Sequence, residues 1–419
     1  MTDMHKREDR IKGKIRSKCG EEIQAETSLL RGRKDHFPEL DYFIDLLAAG
    51  TDSALIAERV RKPVVALMCL QAPLELFHAY GVHPYKIFGG SQVTPRLSAP
   101  SLPAVMCPML RSALGALQLD SAADAAPGGK GGYAAWVIPT TCDWVVKFPE
   151  MMENCGYAIQ KPIHRLELPH MKDSPESQSR WLDEIYNLRD FLGCLTGKKK
   201  VHRKVVAASM VVYQAAWHAF SLLTDLKREG KVPGVWYAIL SNAFFFDDVE
   251  NWTRSLRAVL PKFREFSSKG TNVFLAGSPL FFPNLKMMHL LEDAGLNVVM
   301  DDLCSSERLF PGALYYDDPS DHGLLKAMAQ RYHQGCLCPT FADNDRRVNN
   351  IISTTHKALY KGVVFHVLKG CHPFDLESMS LERHLKKEGL KFIKLETDYT
   401  AEDSQNLLTR LEAYRSTLA

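Results

Sequence analysis

The sequence predicts an α/β protein built from two parallel-sheet domains, with an N-terminal helical segment and a helical connecting region. Short apolar runs alternate with helix-length segments in two separate parts of the chain, and this β-α rhythm is typical of parallel sheets. The 419 residues exceed the length that one domain usually holds, so more than one domain is expected. We place the predicted boundaries at residues 1–60, 61–175, 176–265 and 266–419.

The predicted elements follow this division in order. Residues 1–60 have helical periodicity with polar faces, and Gly50 ends one of these helices. The first sheet is predicted from apolar runs at residues 63–68, 85–88, 134–138 and 164–167. Residues 175–260 are predicted to be mostly helical, and their long apolar-polar stretch, Arg203–Lys227, ends near Gly230. The second sheet is predicted from runs at residues 272–277, 297–300, 362–368 and 391–395.

Composition and charge narrow the class of protein. The chain is 46% hydrophobic and 24% charged, and its net charge of +3 gives no reason to expect nucleic acid or an anionic membrane as a partner. Residues 1–21 are charged throughout, so we expect no signal peptide, and we find no apolar stretch of the roughly 18 residues that a membrane span needs. Ten cysteines without a secretory signal indicate a reducing cytoplasm.

Seven of the ten cysteines are placed as ligands of an inorganic centre would be: Cys69, Cys107, Cys142, Cys304, Cys336, Cys338 and Cys371. Four of them follow a short apolar run, namely Cys69, Cys142, Cys304 and Cys371. Because the carboxyl ends of parallel strands meet at one crevice, these thiols are expected to converge there. Iron–sulfur clusters require soft thiolates in a dry pocket. We therefore predict a thiolate-held centre rather than disulfides, and we assign Cys19, Cys155 and Cys194 to the core.

The spacing of the cysteines leaves two alternatives open. Cys107, Cys142 and Cys371 form one possible group of three, but three unrelated core cysteines would give the same scattered spacing. Cys336 and Cys338 are two residues apart, so in an extended segment their thiols face the same way and can bind one metal centre. A zinc half-site is the alternative there, although no second C-x-x-C or H-x-x-x-H pair completes it.

Three further residues allow both a functional and a structural interpretation. Glu75 lies at a helix start, where a carboxylate is favoured by the helix dipole, so it is either a catalytic or a structural residue. His372 follows Cys371 and is a candidate proton donor or cluster neighbour. Arg308, close to Cys304 in sequence, either stabilises a net-negative cluster or forms a surface salt bridge.

Several segments resemble the 2-hydroxyacyl-CoA dehydratase/benzoyl-CoA reductase (D-component) family over roughly residues 60–417. The similar segments are the helix motif of Pro73, Glu75, Ala79, Gly81 and Pro84, the sequences around Cys107, Cys142 and Cys371, and the tail from Leu395 to Ala413. The resemblance implies two Rossmann-like domains per subunit. It also implies a 4Fe–4S cluster that the three matching cysteines hold between those domains.

A second cysteine set departs from ordinary dehydratase subunits of that family. Those subunits generally lack cysteines matching Cys304 and Cys338, and here both are present together with Cys336. This set is similar to the double-cubane cluster proteins, in which two cubanes share a bridging sulfide as an 8Fe–9S centre within a homodimer. The resemblance implies one cubane on the first three cysteines and one on the second three. Cys69 is a possible substitute ligand, with a core role favoured.

Three hypotheses about function follow from the resemblance. In the first, the chain is an iron–sulfur oxidoreductase component that receives electrons from a separate ATP-hydrolysing 4Fe–4S activator and reduces a small substrate. The absence of a Walker A motif in the chain agrees with ATP hydrolysis elsewhere. In the second, it is a 2-hydroxyacyl-CoA dehydratase or benzoyl-CoA reductase subunit with a single 4Fe–4S cluster, an acyl-CoA substrate and a heterologous partner subunit. In the third, it is a non-catalytic electron-storage protein that bears the cluster.

Overall fold

The protein contains two four-stranded parallel sheets, seen in a computed structural model that describes residues 2–87, 89–124, 132–155, 161–310, 312–357 and 360–418. The first sheet consists of β1 (Val64–Leu67), β2 (His83–Lys86), β3 (Ala135–Pro139) and β4 (Ile163–Leu166), in the order β2-β1-β3-β4. The second consists of β5 (Thr271–Gly277), β6 (Leu296–Asp301), β7 (Gly362–Leu368) and β8 (Lys391–Thr397), in the order β6-β5-β7-β8. All strand pairs are parallel, which confirms the predicted fold class.

Helices precede, separate and follow the strands. In the first part of the chain they are α1 (Thr2–Arg31), α2 (Asp41–Ala49), α3 (Ser53–Val60), α4 (Leu74–Ala79), α5 (Pro95–Ser98), α6 (Pro108–Asp124), α7 (Asp143–Val146) and α8 (Phe148–Asn154). Between the sheets lie α9 (Pro175–Thr196), α10 (Arg203–Arg228), α11 (Gly234–Asn242) and α12 (Val249–Arg264). The second part contains α13 (Lys286–Asp293), α14 (Asp321–His333), α15 (Asp345–Lys357), α16 (His372–Lys387) and α17 (Ser404–Thr417). Short 3₁₀ helices span Pro38–Leu40, Ala99–Ser101, Ala243–Phe246 and Glu307–Leu309.

The strands were predictable because most of them are buried on both faces. Each residue of β1, β3, β6 and β7 is buried, so these strands have continuous apolar runs rather than alternation. The predicted bounds were least accurate for the edge strand β2, which begins at His83 instead of residue 85 and ends at Lys86. A proline is tolerated in an edge strand, and Pro84 lies within β2. Phe88, the end of the predicted run, lies outside the described residues.

The strand order of each sheet creates a crevice at its carboxyl edge. In the first sheet β2 lies on one side of β1, and the next strand, β3, lies on the other side of β1. In the second sheet β6 and β7 flank β5 in the same way. Connections that leave two adjacent strands in opposite directions open a space between them, where α/β proteins bind ligands. Cys69 and Cys142 follow β1 and β3, and Cys371 follows β7, so the predicted ligand residues lie at these positions.

One long helix, α10, joins the two halves of the core. It packs against α4 of the first half and β6 of the second, and its buried residues recur every three or four positions. By length and composition alone it is apolar enough to cross a membrane, but these contacts make it a core helix of the protein. Near its end the fully buried Lys227 pairs with Asp301 at 2.5 Å and Glu307 at 3.0 Å. The predicted domain boundaries stay predictions, since one hydrophobic cluster includes residues of both sheets.

Acidification is expected to destabilise the second sheet through His366. The ring lies in the central strand β7, and burial lowers its pKa to about 4, although a contact of 3.3 Å between Nδ1 and the Ser278 carbonyl oxygen opposes this shift. Unfolded histidine has a pKa of about 6.5, so below that pH the unfolded chain binds a proton that the folded chain does not. Stability is therefore fully present above pH 6.5 and falls towards pH 4, by about 2 kcal/mol for this group between pH 7 and pH 5.

Urea unfolding at pH 7 and pH 5 measures this dependence. The His366→Gln variant is expected to lose about 2 kcal/mol less between the two pH values than the unsubstituted protein. His218→Gln serves as the control, because this side chain is exposed on α10. Equal losses in the His366 variant and the unsubstituted protein would contradict the prediction.

Candidate metal centre

The first group of cysteines, Cys107, Cys142 and Cys371, lies together although its members are far apart in sequence. The thiols of Cys107 and Cys371 form a hydrogen bond, and Cys142 lies close enough to Cys371 to interact electrostatically. The first and second halves of the chain also contact each other next to these cysteines, since Trp144 Nε1 donates a hydrogen bond of 3.0 Å to the Gly370 carbonyl oxygen. The structure thus brings together the three cysteines that the sequence predicted as one group.

Each cysteine of this group directly precedes a helix. Cys107 stands before α6, Cys142 before α7 and Cys371 before α16. The backbone N–H groups of Val145 and Phe374 donate hydrogen bonds to the sulfurs of Cys142 and Cys371. N–H groups at a helix start favour negative charge, so they suit a thiolate ligand. The sequence contained a signal for this arrangement that was not used, namely proline or an acidic residue in the first turn after each cysteine.

The bare thiols of Cys142 and Cys371 are neutral at physiological pH. Burial raises the pKa of Cys142 to about 12, and the hydrogen bond with Cys107 raises the pKa of Cys371 well above its ordinary value. A thiolate would form there only with a positive partner such as a metal, whose charge reverses the effect of burial. The donor chemistry therefore fits a bound inorganic group.

The second group, Cys304, Cys336 and Cys338, lines a cavity of about 240 Å³. Cys304 lies in the loop after β6, and the other two follow α14. The three thiols interact electrostatically with one another, and burial raises the pKa of Cys338 to about 12. Gln71 Nε2 lies 3.4 Å from the sulfur of Cys336. Cys142 of the first group also interacts electrostatically with Cys338, so the two predicted groups of three adjoin each other in one crevice.

Cationic side chains surround the second group. Arg308 donates hydrogen bonds from Nε and Nη1 to the carbonyl oxygens of Asp302 and Leu337, and its Nη2 is buried without a hydrogen-bond partner among the described residues. Lys172 donates a hydrogen bond to the carbonyl oxygen of Cys336. Lys86, at the end of β2, interacts electrostatically with the thiols of Cys304 and Cys338. Arg308 thus lines the cavity and does not take the alternative role of a surface salt-bridge partner. An unpartnered buried N–H beside three thiols fits an anionic group in this cavity.

Cys69 lies between the two groups of thiols. Its sulfur is 3.1 Å from Thr141 Oγ1, and its electrostatic neighbours include Cys142 of the first group and Cys304 of the second. The backbone has a φ of 54°, a left-handed conformation that is uncommon for a residue with a side chain. Burial raises the pKa of Cys69 to about 12. The sequence favoured a core role, but the residue also lines the cavity.

The thiols are not arranged around a single ion. Among the described residues, no three histidine, cysteine, aspartate or glutamate side chains are grouped closely enough to hold one metal ion. The ligands of a cubane each bind a different iron atom, so a cluster needs thiols that are more widely spaced than those around one ion. Two groups of three thiols therefore fit a multi-iron cluster by their number and chemistry.

The two predicted catalytic residues lie outside the cavity wall. Glu75 is fully buried, with its carboxylate 2.5 Å from Arg331 Nη1 and 2.9 Å from the hydroxyl of Tyr332, which does line the cavity. His372 is half exposed, and its Nδ1 lies 3.2 Å from the carboxylate of Asp143 at the rim of the first group. Glu75 is placed to support the site through Tyr332. A catalytic role for either residue stays a prediction.

Known proteins are similar to this chain over most of its length. The family model described as 2-hydroxyglutaryl-CoA dehydratase, D-component, matches residues 69–418. A putative dehydratase subunit YjiM from Escherichia coli (strain K12) is 24% identical over 378 residues, which cover 84% of this chain and 90% of that protein. The lactoyl-CoA dehydratase subunit beta of Anaerotignum propionicum is 21% identical over 364 residues, which cover 84% of this chain and 91% of that protein.

Proposed function

The chain belongs to the 2-hydroxyglutaryl-CoA dehydratase D-component family, and on that premise we propose that it is an iron–sulfur enzyme component carrying a double-cubane 8Fe–9S centre. The observation that supports this proposal is the presence of six thiols in one crevice, each of them an electrostatic neighbour of at least one other. A separate ATP-hydrolysing 4Fe–4S activator would supply low-potential electrons. The enzyme would use them to reduce a small substrate.

The residues present fit such a centre. Its ligands would be the first group, Cys107, Cys142 and Cys371, and the second group, Cys304, Cys336 and Cys338. When bound, the cluster would supply one-electron transfer at low potential. The chain itself would provide burial, which excludes water, and hydrogen-bond donors, which stabilise negative charge.

The two groups stabilise negative charge by different means. Around the second group, Arg308, Lys86 and Lys172 offset the charge of added thiolates through full positive charges. In the first group, the N–H groups at the starts of α6 and α16 provide partial positive charge. A centre that spans both groups would therefore be held by the first and second halves of the chain together.

Iron and acid-labile sulfide analysis of anaerobically prepared protein tests this proposal. A double-cubane centre predicts about eight iron atoms per chain, and a single cubane predicts about four. Iron X-ray absorption, or anomalous scattering from crystals, would locate the atoms relative to the two groups. A full complement of about four irons in fully folded protein would contradict the proposal.

A single-cluster dehydratase subunit is the second candidate. The similarity to the lactoyl-CoA dehydratase subunit beta favours it. The cavity beside the second group would then receive substrate, with apolar contacts from Leu70, Phe310 and Leu337 and a positive charge from Arg308. Calorimetric binding of an acyl-CoA and co-purification with a different subunit would support this alternative. A homodimer that binds no acyl-CoA would count against it.

Exposed apolar side chains near the first group are proposed to contact the activator. Val105 and Val146 are 71% and 43% exposed, and Leu376 and Met379 on α16 are 71% and 63% exposed. These residues lie on the three segments that carry the first group of cysteines. Exposed apolar side chains that cluster on functional segments are typical of protein–protein contacts.

Replacing Leu376 and Met379 together with aspartate is expected to slow reduction by the activator about tenfold, the effect of losing about 1.4 kcal/mol of binding. The added charges oppose burial in an interface but lie in water in the free protein, so iron content is expected to stay the same. Val211→Asp is the control, since this exposed residue lies on α10. Light scattering of the same variants distinguishes contact with the activator from contact between subunits. A loss of dimer would assign the surface to subunit association instead.

A further inference from the structure

Tyr399 is a buried tyrosine whose hydroxyl has no hydrogen-bond partner among the described residues. It lies just after β8, is 6% exposed, and packs in one cluster with Cys107 and Leu368, against which Cys371 is also packed. A tyrosine hydroxyl carries one O–H donor, so an unused donor lies beside two cysteines of the first group.

An unpaired buried hydroxyl requires an explanation. Leaving a buried donor unsatisfied costs about 1–3 kcal/mol, and folded proteins contain few such groups. Neither Cys107 nor Cys371 offers its sulfur to the tyrosine within hydrogen-bond geometry in the bare protein. A sulfur that carries negative charge would be the missing acceptor.

The position of Tyr399 is determined by a lysine on another element. Lys286 Nζ, at the start of α13, is 2.8 Å from the Asp398 carbonyl oxygen and 2.6 Å from the Thr400 carbonyl oxygen. These contacts hold the residues on both sides of Tyr399. The Tyr399 carbonyl oxygen itself accepts a hydrogen bond of 3.0 Å from Asn284 Nδ2. The backbone that carries the buried ring is therefore held in place before any group binds, which favours a preorganised donor.

We propose that the Tyr399 hydroxyl donates a hydrogen bond to a sulfur of the iron–sulfur centre at Cys107 and Cys371 and thereby raises its reduction potential. This inference rests on the proposed function. Reduction adds negative charge to a cluster, and a hydrogen-bond donor stabilises the more negative state more strongly. Removing the donor therefore makes reduction harder.

The Tyr399→Phe variant tests this proposal because it removes only the hydroxyl and keeps the ring. Redox titration of the anaerobic holoprotein, followed by electron paramagnetic resonance, is expected to give a more negative midpoint potential at unchanged iron and sulfide content. In the metal-free protein, urea unfolding is expected to show that the variant is as stable as the unsubstituted chain or more stable, because the unpaired hydroxyl is gone.

Tyr414→Phe is the matched control. Its hydroxyl is also in the second domain, but it donates to the carbonyl oxygens of Val363 and Lys391, so its loss is expected to lower stability and leave the potential unchanged. An unchanged potential in iron-replete Tyr399→Phe would overturn this inference and leave the proposed function intact. Iron loss from Tyr399→Phe alone would also overturn it, because the tyrosine would then build the site. Absence of iron from the unsubstituted protein would overturn both proposals.

Discussion

Replacing Cys338 with serine is expected to remove about half of the iron from anaerobically prepared protein, leaving about four atoms per chain. Cys338 belongs to the second group of thiols, so its loss deprives one cubane of a ligand and leaves the first group complete. Cys371→Ser is expected to produce the complementary loss, with about four irons retained by the second group. The double variant is expected to bind neither cubane.

Two comparisons make this series decisive. Cys194→Ser is the control, because Cys194, which was wrongly assigned to the core from the sequence, is an exposed free thiol on α9 and lies in neither group. Iron content in that variant is expected to equal that of the unsubstituted protein. A protein that binds about four irons and keeps all of them in Cys338→Ser would be a single-cluster member of the family.

Replacing Arg331 with methionine is expected to lower the free energy of unfolding by about 3–5 kcal/mol. Arg331 on α14 pairs with Glu75 on α4, and their side chains are 5% and 0% exposed. Removing the arginine leaves a buried carboxylate whose remaining side-chain partner, among the residues that the structure describes, is the hydroxyl of Tyr332. The cost of burying that charge, rather than the strength of the pair itself, produces the large effect.

Chemical unfolding of the variant measures this loss, and two controls interpret it. The double variant Glu75→Leu with Arg331→Met removes both charges and is expected to recover much of the stability. Arg180→Met breaks an exposed pair with Glu167 and is expected to cost less than about 1 kcal/mol. A loss below about 1 kcal/mol in Arg331→Met would show that Glu75 is not held as an uncompensated charge. That result would favour the catalytic role predicted for Glu75.

The sequence predicted the strands well because their apolar runs result from burial of each strand on both faces. The apolar runs near β1, β3, β6 and β7 are local features, and the cysteines that follow them could be assigned to the carboxyl edges of the sheets. The start of β2 was missed because His83 and Pro84 do not form an apolar run, and an edge strand does not need one.

The surroundings of the thiols were less predictable. Glu75 and Arg331 are 256 residues apart in sequence, and no local pattern joins them. The sequence left two roles open for Arg308, and its position in the cavity decided between them. Tyr399 matched a segment of the family resemblance, but its unpaired hydroxyl is a property of the packed structure.

By itself, the sequence determined that the protein is built from parallel α/β sheets with thiols at their carboxyl edges, since periodicity and strand burial are local properties. Only the tertiary structure decided which of those thiols are neighbours, which cations face the second group, that Cys69 lies between the two groups and that Tyr399 packs beside the first. These relations depend on the strand order and on the packing of two halves of the chain. Short-range sequence patterns contain no record of which distant side chains will meet.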